Sequence, residues 1–191
     1  AALIGTVVIA AGFSGGSKPS GPIQLQEVRL EGRSGAPKLA VISVDGMIYG
    51  ASATGGKLTP VAIACARLER ARRDPRVRGV LLQVDSPGGG ITGSDILHRH
   101  IKRFREGAGG KPVVVSMRNV AASGGYYVSV AANRIFAYPT TVTGSIGVMM
   151  PLYDATDLME KIGVENETLT TGPYKDIGSP FVEKSEEQKQ E

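Results

Sequence analysis

Three clusters of small residues hold the groups in this sequence that could do chemistry. Ala121-Ala122-Ser123-Gly124-Gly125-Tyr126-Tyr127 sets a hydroxyl among residues small enough for a carbonyl to approach. A helix starting there would add free N–H groups and the positive end of its dipole. Such a serine suits nucleophilic acyl transfer, although a helix-capping serine has the same local look. Asp85-Ser86-Pro87-Gly88-Gly89-Gly90 follows an apolar run. Its glycines let backbone N–H groups turn toward a ligand, as an oxyanion hole requires, and equally suit a plain strand-to-helix turn. No Gly-Lys-Ser/Thr follows, which disfavours a phosphate loop. Thr171-Gly172-Pro173-Tyr174-Lys175-Asp176-Ile177-Gly178-Ser179-Pro180 places Lys175 in a loop among helix breakers. Taken alone, Lys175 reads as a solvated charge.

A nucleophilic serine needs a base. The two histidines, His98 and His100, stand two apart on an expected helix and so point in different directions. Neither has an obvious orienting carboxylate, since Asp95 reads equally well as a cap. Both read as members of a solvated helix face, and a Ser-His-Asp triad is unpromising. The single cysteine, Cys65, lies in an apolar helical stretch and reads as a small buried hydrophobe rather than a nucleophile.

The elements that must position these groups alternate along the chain. Continuous apolar runs at 39–44, 79–84 and 112–117 predict buried strands, with further short strands at 134–137, 143–149 and 164–169. Helical spacing appears over 55–73, 94–105, 123–133 and 153–162, with Ser94 or Thr92 as a cap for the second. Unbroken strand runs separated by helices predict an α/β fold with a mainly parallel sheet covered on both faces.

At 191 residues and 41% hydrophobic, the chain can build one real core. The net charge of +4 comes from scattered basic residues rather than a stripe with aromatics, so no nucleic-acid partner is expected. Residues 1–13 (AALIGTVVIAAGF) are uncharged and apolar. A bilayer crossing needs about 20 residues, so they read as part of a signal anchor or transmembrane segment, with a cleaved signal peptide as the competing reading. Residues 14–37, opening with SGGSKPSGP, read as a linker, and 38–191 as the functional domain. The charged run 183–191 has the composition of a helix interior, which suggests a domain continuing beyond it.

Taken together and in order, these stretches resemble the signal peptide peptidase (SppA) family. The resemblance rests on Val84-Asp85-Ser86-Pro87-Gly88-Gly89-Gly90, Lys111-Pro112-Val113, and Ala121 through Tyr127. It continues in Ala131-Ala132-Asn133-Arg134-Ile135-Phe136-Ala137, Thr143-Gly144-Ser145-Ile146-Gly147-Val148, Gly172, Lys175-Asp176-Ile177 and Ser179-Pro180. No one motif is unique, but the ordered set is highly specific. It implies a crotonase/ClpP-like fold and a serine endopeptidase with Ser123 as nucleophile and Lys175 as general base. Ser145 would orient Lys175, and Gly89 and Gly124 would supply the oxyanion-hole N–H groups. The implied substrates are cleaved signal peptides or other membrane-associated peptides. The implied setting is the bacterial cytoplasmic membrane, with the catalytic domain on its extracytoplasmic side. A homo-oligomer whose subunits share active sites is also implied, and no cofactor or metal is expected. The competing readings are a crotonase-like acyl-CoA enzyme, which stabilises a thioester enolate without a serine nucleophile, and a non-catalytic membrane scaffold of the same fold.

Overall fold

The computed structural model describes residues 5–11, 25–50, 59–107, 109–172, 174–184 and 188. In chain order its elements are β1 (Gly5–Ala11), β2 (Leu25–Glu31), β3 (Lys38–Asp45), α1 (Pro60–Arg73), β4 (Val77–Ser86), α2 (Ile91–Glu106), β5 (Val113–Ala122), α3 (Gly124–Ser129), β6 (Arg134–Ala137), β7 (Val142–Gly144) and α4 (Thr156–Ile162). They fall into two compact units, Ala1–Gly147 and Val148–Glu191.

The sheet of the first unit has the order β2-β1-β3-β4-β5-β6, with β7 paired to β5 beyond the end of the β5–β6 ladder. Every pairing is parallel except the β1–β2 hairpin. The three central strands are those of the continuous apolar runs. Ile42, Leu82, Val84 and Val115 register on one face of the sheet and have no exposed surface, whereas Ser43, Leu81, Gln83, Val114 and Ser116 on the opposite face are only half-buried, so among the described residues the expected cover is complete on one face alone. Helix α1 starts where Thr59 caps it, the hydroxyl accepting the Ala62 N–H at 3.2 Å with Pro60 in the first turn. It buries Val61, Ala64, Leu68 and Ala71, one helical stripe. Helix α2 buries Leu97, Ile101 and Phe104. Each of these larger side chains contributes roughly 1.5–3 kcal/mol on burial.

Several elements differ from the sequence reading. Gly5–Ala11, within the apolar segment expected to anchor the chain, is a strand, with Val7 buried. Among the described residues no helix is long and apolar enough to cross a membrane. Leu25–Glu31, within the expected linker, is the antiparallel partner of that strand. The rest of the Gly/Ser/Pro stretch lies outside the described residues, as does most of 183–191. Helix α2 begins at Ile91 without a side-chain cap, and Ser94 is instead buried with its hydroxyl donating to the Gly90 carbonyl at 3.0 Å. The strand expected at 143–149 ends at Gly144, because Gly144 and Ser145 both turn to positive φ. Residues 164–169 form no strand: a strand needs a paired neighbour, and among the described residues none pairs with them.

Because β3, β4 and β5 run parallel, the turns that leave them gather at one end of the sheet. Open α/β sheets bind ligands outside the carboxyl ends of their strands.

Candidate active site

The chain leaving β3 is laced to the glycine turn after β4. Gly46 N–H donates to the Asp85 carbonyl at 2.9 Å, Ile48 N–H to the Gly88 carbonyl at 2.8 Å, and Gly90 N–H to the Ile48 carbonyl at 2.8 Å. Gly89 sits at φ 156°, and a Cβ there would fall 2.2 Å from the Ile48 carbonyl oxygen, so only glycine fits. The Asp85 carboxylate accepts from Asn119 Nδ2 at 2.9 Å and from the Val120 N–H at 3.1 Å. It thereby closes the irregularity between β4 and β5 that follows Val84.

Ser123 stands between β5 and α3 at φ 49°, ψ −118°. A non-glycine residue held in so sparsely populated a region costs on the order of 1–3 kcal/mol and persists only where its surroundings fix it. Here they do. The Ser123 N–H donates to the Gly144 carbonyl at 2.8 Å, and the Ser123 carbonyl accepts from the Tyr127 N–H at 2.9 Å. The glycine turn packs directly on it: a Cβ on Gly88 would lie 2.7 Å from the Gly124 nitrogen and 2.9 Å from the Ser123 Cβ. A Cβ on Gly124 would lie 2.3 Å from the Ser94 hydroxyl and 3.3 Å from the Gly89 nitrogen. Neither the Gly89 nor the Gly124 N–H has a hydrogen-bond acceptor among the described residues. The half-buried Ser123 side chain is therefore presented on a strained strand-to-helix turn, beside two uncommitted backbone donors.

Four of the five residues singled out in the sequence thus belong to one end of one sheet. Ser123 and Gly124 are consecutive and pack against the turn that carries Gly88 and Gly89. Ser145, exposed at φ 52°, follows the residue whose carbonyl receives the Ser123 N–H. Lys175 belongs to the second unit. Its loop is a run of tight turns: Lys175 N–H donates to the Gly172 carbonyl at 3.3 Å, and Gly178 and Ser179 N–H both donate to the Asp176 carbonyl at 2.8 Å. Its side chain is exposed within that unit.

The other candidates separate clearly. Burial pushes the Cys65 thiol up to about 11, far from a reactive thiolate. His100 packs near Leu68 and Phe104, where burial and then Arg103 hold its imidazolium form down against the opposing pull of Glu69. His98 is not the solvated side chain expected: its Nδ1 lies 2.9 Å from the Tyr127 carbonyl and its ring stacks on Tyr127. The sequence hint was its place four residues after the buried Ser94, at the edge of the packed face of α2. Among the described residues, no group of three or more His, Cys, Asp or Glu is placed to hold a metal ion.

Residues 105–191 match the family model described as Peptidase family S49. The chain is 40% identical over 139 residues to Protease 4 of Salmonella typhi, covering 73% of this chain and 22% of that protein. It is 37% identical over 146 residues to the chloroplastic serine protease SPPA of Arabidopsis thaliana, covering 75% of this chain and 21% of that protein. It thus spans about a fifth of the length of these two relatives. A solved structure of a mutant of the 1510-N membrane-bound stomatin-specific protease has a TM-score of 0.47 at 16% identity, covering 62% of this chain and 52% of that one. The chain therefore carries a peptidase family S49 domain, matched over residues 105–191, and is a homologue of proteins named Protease 4 and SPPA.

Proposed function

We propose that this chain is the catalytic part of a membrane-anchored serine endopeptidase that cleaves peptides by a Ser123/Lys175 pair. The observation that carries the reading is the strained Ser123 turn packed against a glycine turn, with the Gly89 and Gly124 N–H groups uncommitted beside it. The family match and the relatives named as proteases support the same chemistry.

In this mechanism Ser123 Oγ attacks the scissile carbonyl carbon while its proton passes to the neutral amine of Lys175. The carbonyl oxygen gains negative charge and is met by the Gly89 and Gly124 N–H groups, which cost no reorganisation because packing already holds them. The lysine returns the proton to the leaving amine, the C–N bond breaks, and an ester to Ser123 remains. Water, deprotonated by the same amine, then releases the acid and restores the serine. Ser145 orients Lys175 through its hydroxyl. The substrates are signal peptides or other membrane-associated peptides, acted on at the extracytoplasmic face of a bacterial cytoplasmic membrane.

The protein works as a homo-oligomer in which copies share active sites. Supporting this is a run of exposed apolar side chains just after β7: Ile146, Val148, Met149, Met150 and Tyr153 are each more than 70% exposed, beyond what isolated surface residues account for.

The test is peptide hydrolysis by the full-length protein. Ser123→Ala abolishes it without lowering the melting temperature, since alanine fits a small-residue site. Lys175→Ala abolishes it as well. Mixed oligomers of the two variants regain part of the activity if sites are shared between copies. Turnover by Ser123→Ala at the wild-type rate overturns the assignment.

A further inference from the structure

Helix α3 carries the proposed nucleophile at its start yet has only six residues, too few to be stable alone. Something must hold it. On one side the glycine contacts do so. On the other, two side chains of α2, His98 and Asp95, converge on a single residue, Tyr127. His98 Nδ1 is 2.9 Å from the Tyr127 carbonyl, and because a carbonyl only accepts, Nδ1 carries the proton. The two rings stack with centroids 4.5 Å apart at 25°. The Tyr127 hydroxyl donates to Asp95 Oδ1 at 3.2 Å, and Asp95 is itself pinned by Arg99 Nε at 2.8 Å.

The Tyr127 carbonyl is one that α3 leaves unpaired. The Ala131 N–H, which would reach it in a longer helix, bonds to the Val128 carbonyl instead. The Tyr127 N–H, meanwhile, donates to the Ser123 carbonyl at 2.9 Å. That carbonyl shares its peptide plane with the Gly124 N–H, and the bond is trans, so fixing one group aims the other in the opposite direction.

We infer that His98, with Tyr127 and Asp95, is a positioning device for the oxyanion hole: α2 holds Tyr127, Tyr127 holds the Ser123–Gly124 peptide, and that peptide aims the Gly124 N–H. The inference rests on the serine-peptidase reading and assigns His98 no proton transfer. Nδ1 donates in both the neutral and the cationic ring, so protonation of His98 leaves the clamp closed. The charged groups of α2 beside this clamp are Asp95 and Arg99, joined to it by a hydrogen bond and an ion pair, and Lys102, one helical turn after His98; the titratable group facing it from α3 is Tyr127.

The experiment measures peptide hydrolysis across pH, and fluorophosphonate labelling of Ser123, in the full-length protein. Wild type must label at Ser123 and Ser123→Ala must not. Failure here sinks the serine-peptidase reading, and this inference with it, whatever His98 does. Given that baseline, His98→Ala lowers kcat about tenfold with KM unchanged, part of the roughly 10²–10³ lost when an oxyanion donor is removed outright. Labelling slows in parallel, and the shape of the pH profile is retained. His98→Asn, whose Nδ2 donates from the place of Nδ1, recovers most of the rate, whereas His98→Leu does not. Tyr127→Phe, which keeps the ring and loses the Asp95 bond, loses about threefold. The proposal is overturned if His98→Ala turns over at the wild-type rate, or if kcat holds while KM rises. Loss of one limb of the pH profile would make His98 a base instead. Rates that follow only the folded fraction, with no recovery in His98→Asn, would make it a structural residue.

Discussion

The two ends of the central sheet are built from opposite materials. At the amino ends of β3 and β4 the chemistry is charge, and its buried member is paired. Lys38 is buried, with Glu27 at 2.5 Å and Asp74 at 2.8 Å, and Lys111 Nζ donates to the carbonyls of Ala71, Arg72 and Asp74 at 3.1, 3.1 and 2.7 Å, closing the end of α1. At the carboxyl ends the closest contacts are largely backbone on backbone beside the Asp85 carboxylate, with a serine at positive φ and two N–H groups without acceptors among the described residues. A cavity of about 500 Å³ lies at the amino end, yet the charges of Lys38, Glu27 and Asp74 that line it are spent on one another. Size alone does not single out the proposed reactive end. Strain and unspent donors do, and the satisfied end supports them.

The sharpest way to break this contrast is at Gly89. Gly89→Ala forces a Cβ to within 2.2 Å of a backbone oxygen, and backbone cannot swing aside as a side chain can. The turn must shift, taking with it the N–H proposed as an oxyanion donor, and in that role a displacement of about 1 Å lowers turnover on the order of 10²-fold. Gly147→Ala is the control, since a Cβ there meets nothing within 4 Å. Peptide hydrolysis by the two variants, each normalised to folded protein by circular dichroism, decides the matter. Equal activity would mean that the tight packing at Gly89 positions nothing.

What the sequence disclosed follows the same division. The strands β3, β4 and β5 are legible because their runs are rich in Val, Ile and Leu, a local property, while Ser43, Gln83 and Ser116 mark the face that stays half-buried. The site glycines are legible as a cluster, but not the reason for each, since the clash at Gly89 is with Ile48, forty-one positions earlier. The apolar run Gly5–Ala11 fits a strand and a membrane segment equally well in composition, and only pairing with β3 distinguishes them. The strand Leu25–Glu31 looked like linker because its apolar residues are interleaved with charges, as an edge strand allows. His98 was misread because its partner lies 29 residues away: its spacing from Ser94 puts it at the edge of the packed face of α2, but nothing local shows that it caps another helix. The strain at Ser123 has no signature in residue types at all, because serine is ordinary in that place and only its φ is not.

The amino end offers the next test. Burial alone would raise the Asp74 carboxyl, but hydrogen bonds from Lys38 and Arg76 outweigh it and hold it well below the usual carboxylate range. A folded-state value below the unfolded one contributes stability above the unfolded value, lost as pH falls through the folded one. Asp74→Asn should therefore cost about 1–3 kcal/mol at pH 7, because it leaves the buried Lys38 with a weaker partner. The difference from wild type narrows below about pH 4, the ordinary aspartate range. Activity per folded molecule stays at the wild-type level, since the substitution lies at the far end of the sheet. Denaturant melts at pH 7 and pH 3 measure the first two effects. A large loss of specific activity would break the division between the ends.

Glu69 should give the smallest effect, although its carboxyl is also strongly shifted. Hydrogen bonds from Arg72 and then Arg73 lower it to about 2, with contacts of 2.7–2.8 Å. The geometry is good, but a third of the Glu69 side chain faces solvent, and Arg73 is three-quarters exposed. Water and salt screen such pairs, and ordering the long arginine side chains offsets much of the attraction. Glu69→Gln should therefore cost under about 0.5 kcal/mol at pH 7 in 0.15 M salt. The sign is the same as for Asp74: the contribution is present above the ordinary glutamate value of about 4.3 and is lost as pH falls toward about 2. What separates the two carboxylates is their partner. Asp74 is paired with an ammonium that has almost no water to fall back on, whereas both arginines of Glu69 remain hydrated when it is removed. Raising the salt to 1 M should erase the Glu69 effect and leave most of the Asp74 effect. If Glu69→Gln proved as costly as Asp74→Asn, the amino end would owe its stability to its exposed rim rather than to the buried Lys38.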